Sequence, residues 1–342
     1  MKILASIVAV AFLIVGTVIV AARLGAFESD LAEARARYGA APSQFIEIDG
    51  TRIHYRDEGQ GPILVLLHGS RGSLQQWDGW VHELGGRFRI IRFDSLAHGL
   101  TGADGRNDYG AERELFLMNG LLDRLHADHF YLAGTSSGAT VAVRYAAAHP
   151  GRVDKLLLST LPLRLPRGNS ASSSAQAVYW LHDNVLGTEA TDWYWRTFLR
   201  AILGNRQLAT PQLVQRYREL NSLPGQQQRF RERIATWLRS GGADRDFVLA
   251  SKVTVPTLIQ WGEAGPVLPQ QLFCDVAAAF TATPVRMIRY AGIGHMPILE
   301  DPIQTARDAL AFIVDGSGGE RCAAAARSDA SRIAASLMAS SG

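Results

Sequence analysis

Gly134-Thr135-Ser136-Ser137-Gly138 stands directly after an apolar run, 130–134, and directly before a helical stretch. In that setting a G-x-S-x-G reads as a nucleophile elbow: the glycines permit a sharp strand-to-helix turn, and Ser136 projects its hydroxyl from the top of a sheet. The backbone N–H of Ser137, at the start of the helix, then points to where an oxyanion forms. A plain turn with serine caps reads the same way in this window alone, so the motif needs partners elsewhere in the chain.

Two other loops supply them. Leu66-Leu67-His68-Gly69-Ser70 closes a third apolar run, and its loop can bring a second N–H donor, that of Ser70, towards the nucleophile; His68 reads as structural. Gly292-Ile293-Gly294-His295-Met296-Pro297 follows the last run, where a histidine can reach across a sheet and take the serine's proton. His126 and His129 read as surface residues, His54 lies on an edge strand and His98 in a loop after Asp94. No histidine pair has metal-ligand spacing with an acid nearby, so neither a metal nor a cofactor is expected. Cys274 and Cys322 are too few for a disulfide framework or a four-thiolate site.

The elements that must hold these loops follow from the hydropathy pattern. Short apolar or β-branched runs occur at 45–48, 52–55, 63–67, 89–93, 130–134, 155–159, 257–261 and 285–290. From the third run onward helical stretches separate them, among them 73–84, 111–126, 139–149 and 304–313. Such alternation predicts an α/β fold with a mostly parallel sheet covered by helices on both faces. The first two runs, joined by Asp49-Gly50, predict an edge hairpin. From 162 to 250 the alternation stops. That stretch is rich in aromatics and holds twelve Arg against seven acidic residues, which predicts a helical insertion.

Together, the three loops in this order resemble the α/β-hydrolase family, whose chain order is serine, acid, histidine. The resemblance covers roughly residues 43 to 315 and includes RFDSLAHGLTG (92–102) and GIGHMPILEDP (292–302). It implies an eight-stranded core made of 43–161 and 251–315, with 162–250 as a helical cap. It also implies that Asp94 organises its loop without doing chemistry. One position departs from the family. Where the family places its acid after the seventh strand, this chain reads Trp261-Gly262-Glu263-Ala264-Gly265, with Gly265 at the acid's position. Glu263 is the nearest replacement; Asp275, Glu300 and Asp301 are further candidates.

A serine nucleophile implies acyl transfer to water, with Ser136 and His295 as catalytic pair and the N–H groups of Ser70 and Ser137 as oxyanion hole. The expected substrate is a small to medium apolar ester-like molecule, with Trp180, Trp193 and Trp195 of the cap lining its pocket. Carbon–carbon bond hydrolysis by the same pair is the alternative, as is an inactive ligand-binding protein, given Gly265. A net charge of +3 over 342 residues argues against nucleic acid as partner. Residues 3–22 carry no charge, enough for about 30 Å of helix. Segment 1–25 therefore reads as a membrane anchor with the catalytic domain on the non-cytosolic side, or as a cleaved signal of a secreted protein. Residues 316–342, rich in Ala, Ser and Gly, read as a low-complexity tail.

Overall fold

The computed structural model describes residues 2–163, 172–265, 267–268, 272–316 and 318–320, with the side chains of 2–5 and 8 outside the description. The tail from 321 onward, Cys322 included, lies outside these residues. Eight strands form one sheet: β1 (Gln44–Ile48), β2 (Thr51–Glu58), β3 (Ile63–Leu67), β4 (Arg89–Phe93), β5 (Phe130–Thr135), β6 (Val153–Ser159), β7 (Thr257–Gly262) and β8 (Val285–Tyr290). Their spatial order is β1-β2-β4-β3-β5-β6-β7-β8. Strand β2 runs antiparallel to β1 and β4, and the remaining neighbours are parallel.

The β1–β2 hairpin closes as its sequence predicts. Asp49 and Gly50 both take positive φ, +49° and +76°, the two-residue geometry whose twist suits paired strands. In the central strands alternate side chains enter opposite faces. Leu64 and Leu66 of β3 join Ala133, Leu157 and Leu258 in a core that includes Trp77 and Trp80. Val65 and Leu67 join Leu132, Leu156, Leu158 and Ile259 in the other core, against Leu121, Tyr145 and Phe273. A sheet buried on both faces explains why these runs are continuously apolar.

Helices follow their start signals. They are α1 (Lys2–Arg23), α2 (Leu31–Tyr38), α3 (Asp78–Leu84), α4 (Ala111–Arg124), α5 (Ser137–Ala148), α6 (Ser173–Leu181), α7 (Asp192–Ile202), α8 (Pro211–Asn221), α9 (Gln226–Arg239), α10 (Gly242–Ala250), α11 (Leu272–Ala278), α12 (Pro297–Glu300) and α13 (Pro302–Asp315). Thr191, Thr210 and Asp301 cap α7, α8 and α13 by accepting the N–H groups of Tyr194, Leu213 and Gln304, and Pro211 and Pro302 occupy first-turn positions that need no donor. Helices α6 to α10 build the insertion between β6 and β7, with a small core of Tyr194, Trp195, Leu199, Val214 and Tyr217.

The insertion is tied to the sheet domain by buried charge. Arg144 of α5 donates from Nε and Nη2 to the two carboxylate oxygens of Asp246 in α10, at 2.6 and 2.8 Å. Among the described residues no helix is long and apolar enough to cross a membrane, so the anchor expected at 1–25 is not shown by the structure.

Candidate active site

The elbow forms because nothing larger than glycine fits around it. A Cβ on Gly134 would sit on the carbonyl oxygen of Gly138, and one on Gly138 would sit on those of Leu67 and His68. Strand β5, helix α5 and the loop after β3 therefore approach backbone to backbone. Ser136 pays in local strain, with φ +51° and ψ −121°, a region that costs a non-glycine residue about 1–3 kcal/mol. Its N–H donates to Ser159 O at 2.9 Å.

The neighbouring loop is held by side chains. Gly69 N–H donates to Gln76 Oε1 at 2.8 Å, and Gln76 Nε2 donates to the Tyr217 hydroxyl of the insertion at 2.6 Å. His68 is structural: its Nε2 accepts the Ser95 N–H and its Nδ1–H donates to Gly69 O. A Cβ on Gly69 would come within 3.1 Å of Ser136 Cβ, so this loop lies directly against the nucleophile. The N–H groups of Ser70 and Ser137 have no acceptor among the described residues. Both remain available for an oxyanion. Asp94 organises the next loop, as the resemblance implies. It accepts N–H groups from Leu74 and Leu100 at 2.8 Å and from His54 Nδ1 at 2.7 Å.

His295 arrives from the loop after β8. Its Nε2 lies 3.0 Å from Ser136 Oγ, so a serine to histidine proton path exists. The side chain is buried, and burial lowers its pKa from 6.5 to about 4, leaving a neutral imidazole at pH 7. With Nε2 accepting from the serine hydroxyl, Nδ1 carries the proton, and that buried N–H has no hydrogen-bond partner among the described residues. The backbone around it is clamped. His295 N–H donates to Ile202 O at 2.7 Å, and the Glu300 carboxylate accepts N–H groups from Gly294, Gly204 and Asn205 at 2.9, 2.8 and 3.1 Å. The histidine loop is thus pinned between the sheet and the insertion.

The expectation that Glu263 serves as acid is corrected by this geometry. Pairing of β7 with β8 sets Gly262 beside Tyr290, so the next residue's N–H donates to Tyr290 O and its carboxylate turns to Arg289, at 4.0 Å. Glu300 is occupied by backbone donors and Asp301 caps α13. None of these carboxylates meets His295 Nδ1. Gly265 does lie against the histidine: a Cβ there would be 3.0 Å from His295 N and 3.1 Å from Gly294 C.

The tryptophans also differ from expectation. Trp195 is fully buried in the core of the insertion, whereas Trp180 and Trp193 are 61% and 53% exposed. On α7 the helical period puts Tyr194, Trp195 and Leu199 inward and turns Trp193 out, so among the described residues Trp180 and Trp193 line no buried pocket. Sequence reading missed Arg71. Its guanidinium, next in the chain to Ser70, pairs with Glu189 of the insertion at 2.6 Å and lies 3.7 Å from the Phe230 ring centroid. Partners 118 positions apart leave no local signal.

The sequence profile of the alpha/beta hydrolase fold matches residues 62–302. A 2-hydroxy-6-oxononadienedioate/2-hydroxy-6-oxononatrienedioate hydrolase of Paraburkholderia xenovorans is 35% identical over 130 residues, 35% of this chain and 44% of that protein. The chain spans between a third and about half the length of the curated relatives it matches. Among solved structures, a bacterial membrane phospholipase A superposes with TM-score 0.65 at 20% identity, covering 91% of this chain and 95% of that one. A meta-cleavage product hydrolase from Pseudomonas fluorescens gives 0.65 at 21%, covering 80% and 98%.

Proposed function

Because the chain belongs to the alpha/beta hydrolase fold family, we propose that it is a serine hydrolase acting on an ester-type bond of a small to medium apolar substrate. Ser136 Oγ adds to the carbonyl carbon while its proton passes to His295 Nε2. The Ser70 and Ser137 N–H groups hold the oxyanion. Collapse of the adduct expels the alcohol, which takes the proton from Nε2, and leaves an acyl group on Ser136. Water then adds to that acyl group, with His295 as base, and the acid is released.

The single observation carrying this reading is the 3.0 Å contact of Ser136 Oγ with His295 Nε2 at a strained elbow, with the N–H groups of Ser70 and Ser137 free of acceptors among the described residues. That Nδ1 of His295 has no partner among the described residues supports slow turnover, since removing the acid's charge lowered the rate about 10⁴-fold in a well-studied serine protease. A second reading, carbon–carbon bond hydrolysis, is favoured by the names of the relatives. Assaying a graded series of p-nitrophenyl acyl esters beside a vinylogous diketone, with Ser136→Ala as control, separates the two. Ester turnover lost in the variant supports the proposal; turnover of the diketone alone replaces it with the second reading.

We also place the catalytic domain on the non-cytosolic side of a membrane that α1 enters. The 20 uncharged residues of 3–22 support the anchor. Protease protection of spheroplasts tests the side. Shielding of the domain until the membrane is broken would contradict it.

A further inference from the structure

Outside α1, nine large apolar side chains are exposed among the described residues, and five of them, Leu24, Phe27, Leu31, Trp180 and Trp193, belong to the segment after α1, to the start of α2, or to α6 and α7. The two groups are joined. Arg23, the last residue of α1, donates from Nε to Val185 O at 3.1 Å and from Nη2 to Asn184 O at 3.0 Å. Those carbonyls belong to the turn 182–186 that follows α6. Both exposed tryptophans flank this turn: Asn184 Nδ2 donates to Trp180 O at 3.0 Å, and the rings of Trp193 and His182 lie 5.5 Å apart.

Helix α7 adds charge to the patch. Trp193, Arg196 and Arg200 recur at spacings of three and four, on the exposed face opposite Trp195 and Leu199. Asp192 and Glu189 are already paired with Arg218 and Arg71. Neither Arg196 nor Arg200 has an ion-pair partner among the described residues, and the two guanidiniums outnumber the one remaining carboxylate nearby, Asp183. Tryptophan at headgroup depth beside unpaired arginine is the chemistry of an anionic bilayer surface.

We propose that the outward face of α6 and α7, with Trp180, Trp193, Arg196 and Arg200, rests on the anionic bilayer that α1 enters. The proposal rests on the anchor reading above. It places α7 between the membrane and the reaction, because the same helix ends at Ile202, whose carbonyl accepts the His295 N–H.

The tryptophans make a direct test available. Of the seven tryptophans Trp77, Trp80, Trp195 and Trp261 are fully buried and Trp237 is half-buried on α9 with its indole N–H on Asp246, so the fall in quenching when Trp180 and Trp193 are replaced reads those two. The full chain is reconstituted into vesicles of phosphatidylcholine and phosphatidylglycerol, brominated either near the headgroup or near the chain end. Stronger quenching by the headgroup-proximal label is expected, falling at least twofold in Trp180→Phe/Trp193→Phe. Arg196→Gln/Arg200→Gln should weaken quenching in anionic vesicles and leave neutral ones unchanged. Fluorophosphonate labelling of Ser136 reports that each variant is folded. Absent quenching, or quenching unchanged in the Phe variant, overturns the proposal when alkaline carbonate leaves the chain in the membrane. Extraction by carbonate overturns the anchor reading and this surface with it.

Discussion

Replacing Gly265 by Asp puts a carboxylate beside His295, whose Nδ1 meets none among the described residues, and the structure sets both its benefit and its cost. A Cβ at 265 would be 3.0 Å from His295 N and 3.1 Å from Gly294 C, tighter than ordinary contact. The histidine loop has little freedom to retreat, since Ile202 O and the Glu300 carboxylate hold it. Overpacking of this kind costs about 1–3 kcal/mol, so Gly265→Asp should unfold at lower urea. The benefit is electrostatic. Burial alone holds the imidazole at about 4, and an adjacent anion raises such a group by about 1–3 pH units. The assay is the pH profile of kcat/KM on a p-nitrophenyl ester. Wild type should lose activity only as pH falls towards 4. In the variant the acid limb should move up to about 5–7, with a rate near neutrality at least tenfold higher. A folded variant with its limb still near 4 would refute the reasoning, and so would a wild-type limb above 6.

Three further outcomes follow from the same geometry. Glu300→Ala strips the acceptor from the N–H groups of Gly294, Gly204 and Asn205; we expect a loss of about 2–4 kcal/mol in urea unfolding and at least tenfold slower labelling of Ser136. Arg144→Met leaves Asp246 charged and buried, costing about 3–5 kcal/mol, while Arg144→Met/Asp246→Leu should recover most of it. The unfolded chain protonates His295 near 6.5 and the folded chain only near 4. Stability should therefore fall by about 3 kcal/mol as pH drops through that window, and His295→Gln should remove this slope.

The sheet was readable because strands buried on both faces must be continuously apolar, and all eight runs became strands within a few residues. The elbow and the histidine loop were readable because glycine is required where backbones touch, at Gly134, Gly138 and Gly294. What escaped reading depends on direction or distance. Glu263 is the carboxylate nearest in the chain to the position where the family carries its acid, Gly265, yet strand pairing turns it to Arg289. Trp193 and Trp195 are two residues apart on one helix, so they face opposite ways, and composition says nothing of which is inside. Glu300 reaches Gly204 across 96 positions, and Arg71 reaches Glu189 across 118. Such clamps between insertion and sheet exist only after both have folded.

The most direct test is labelling of the full-length chain in mild detergent by a fluorophosphonate probe, beside Ser136→Ala. A nucleophilic serine at the elbow predicts one labelled site, Ser136, that disappears in the variant and fades as pH falls towards 4. A folded wild-type chain that takes no label, or labels equally in Ser136→Ala, would contradict the assignment of Ser136 and His295 as a working pair.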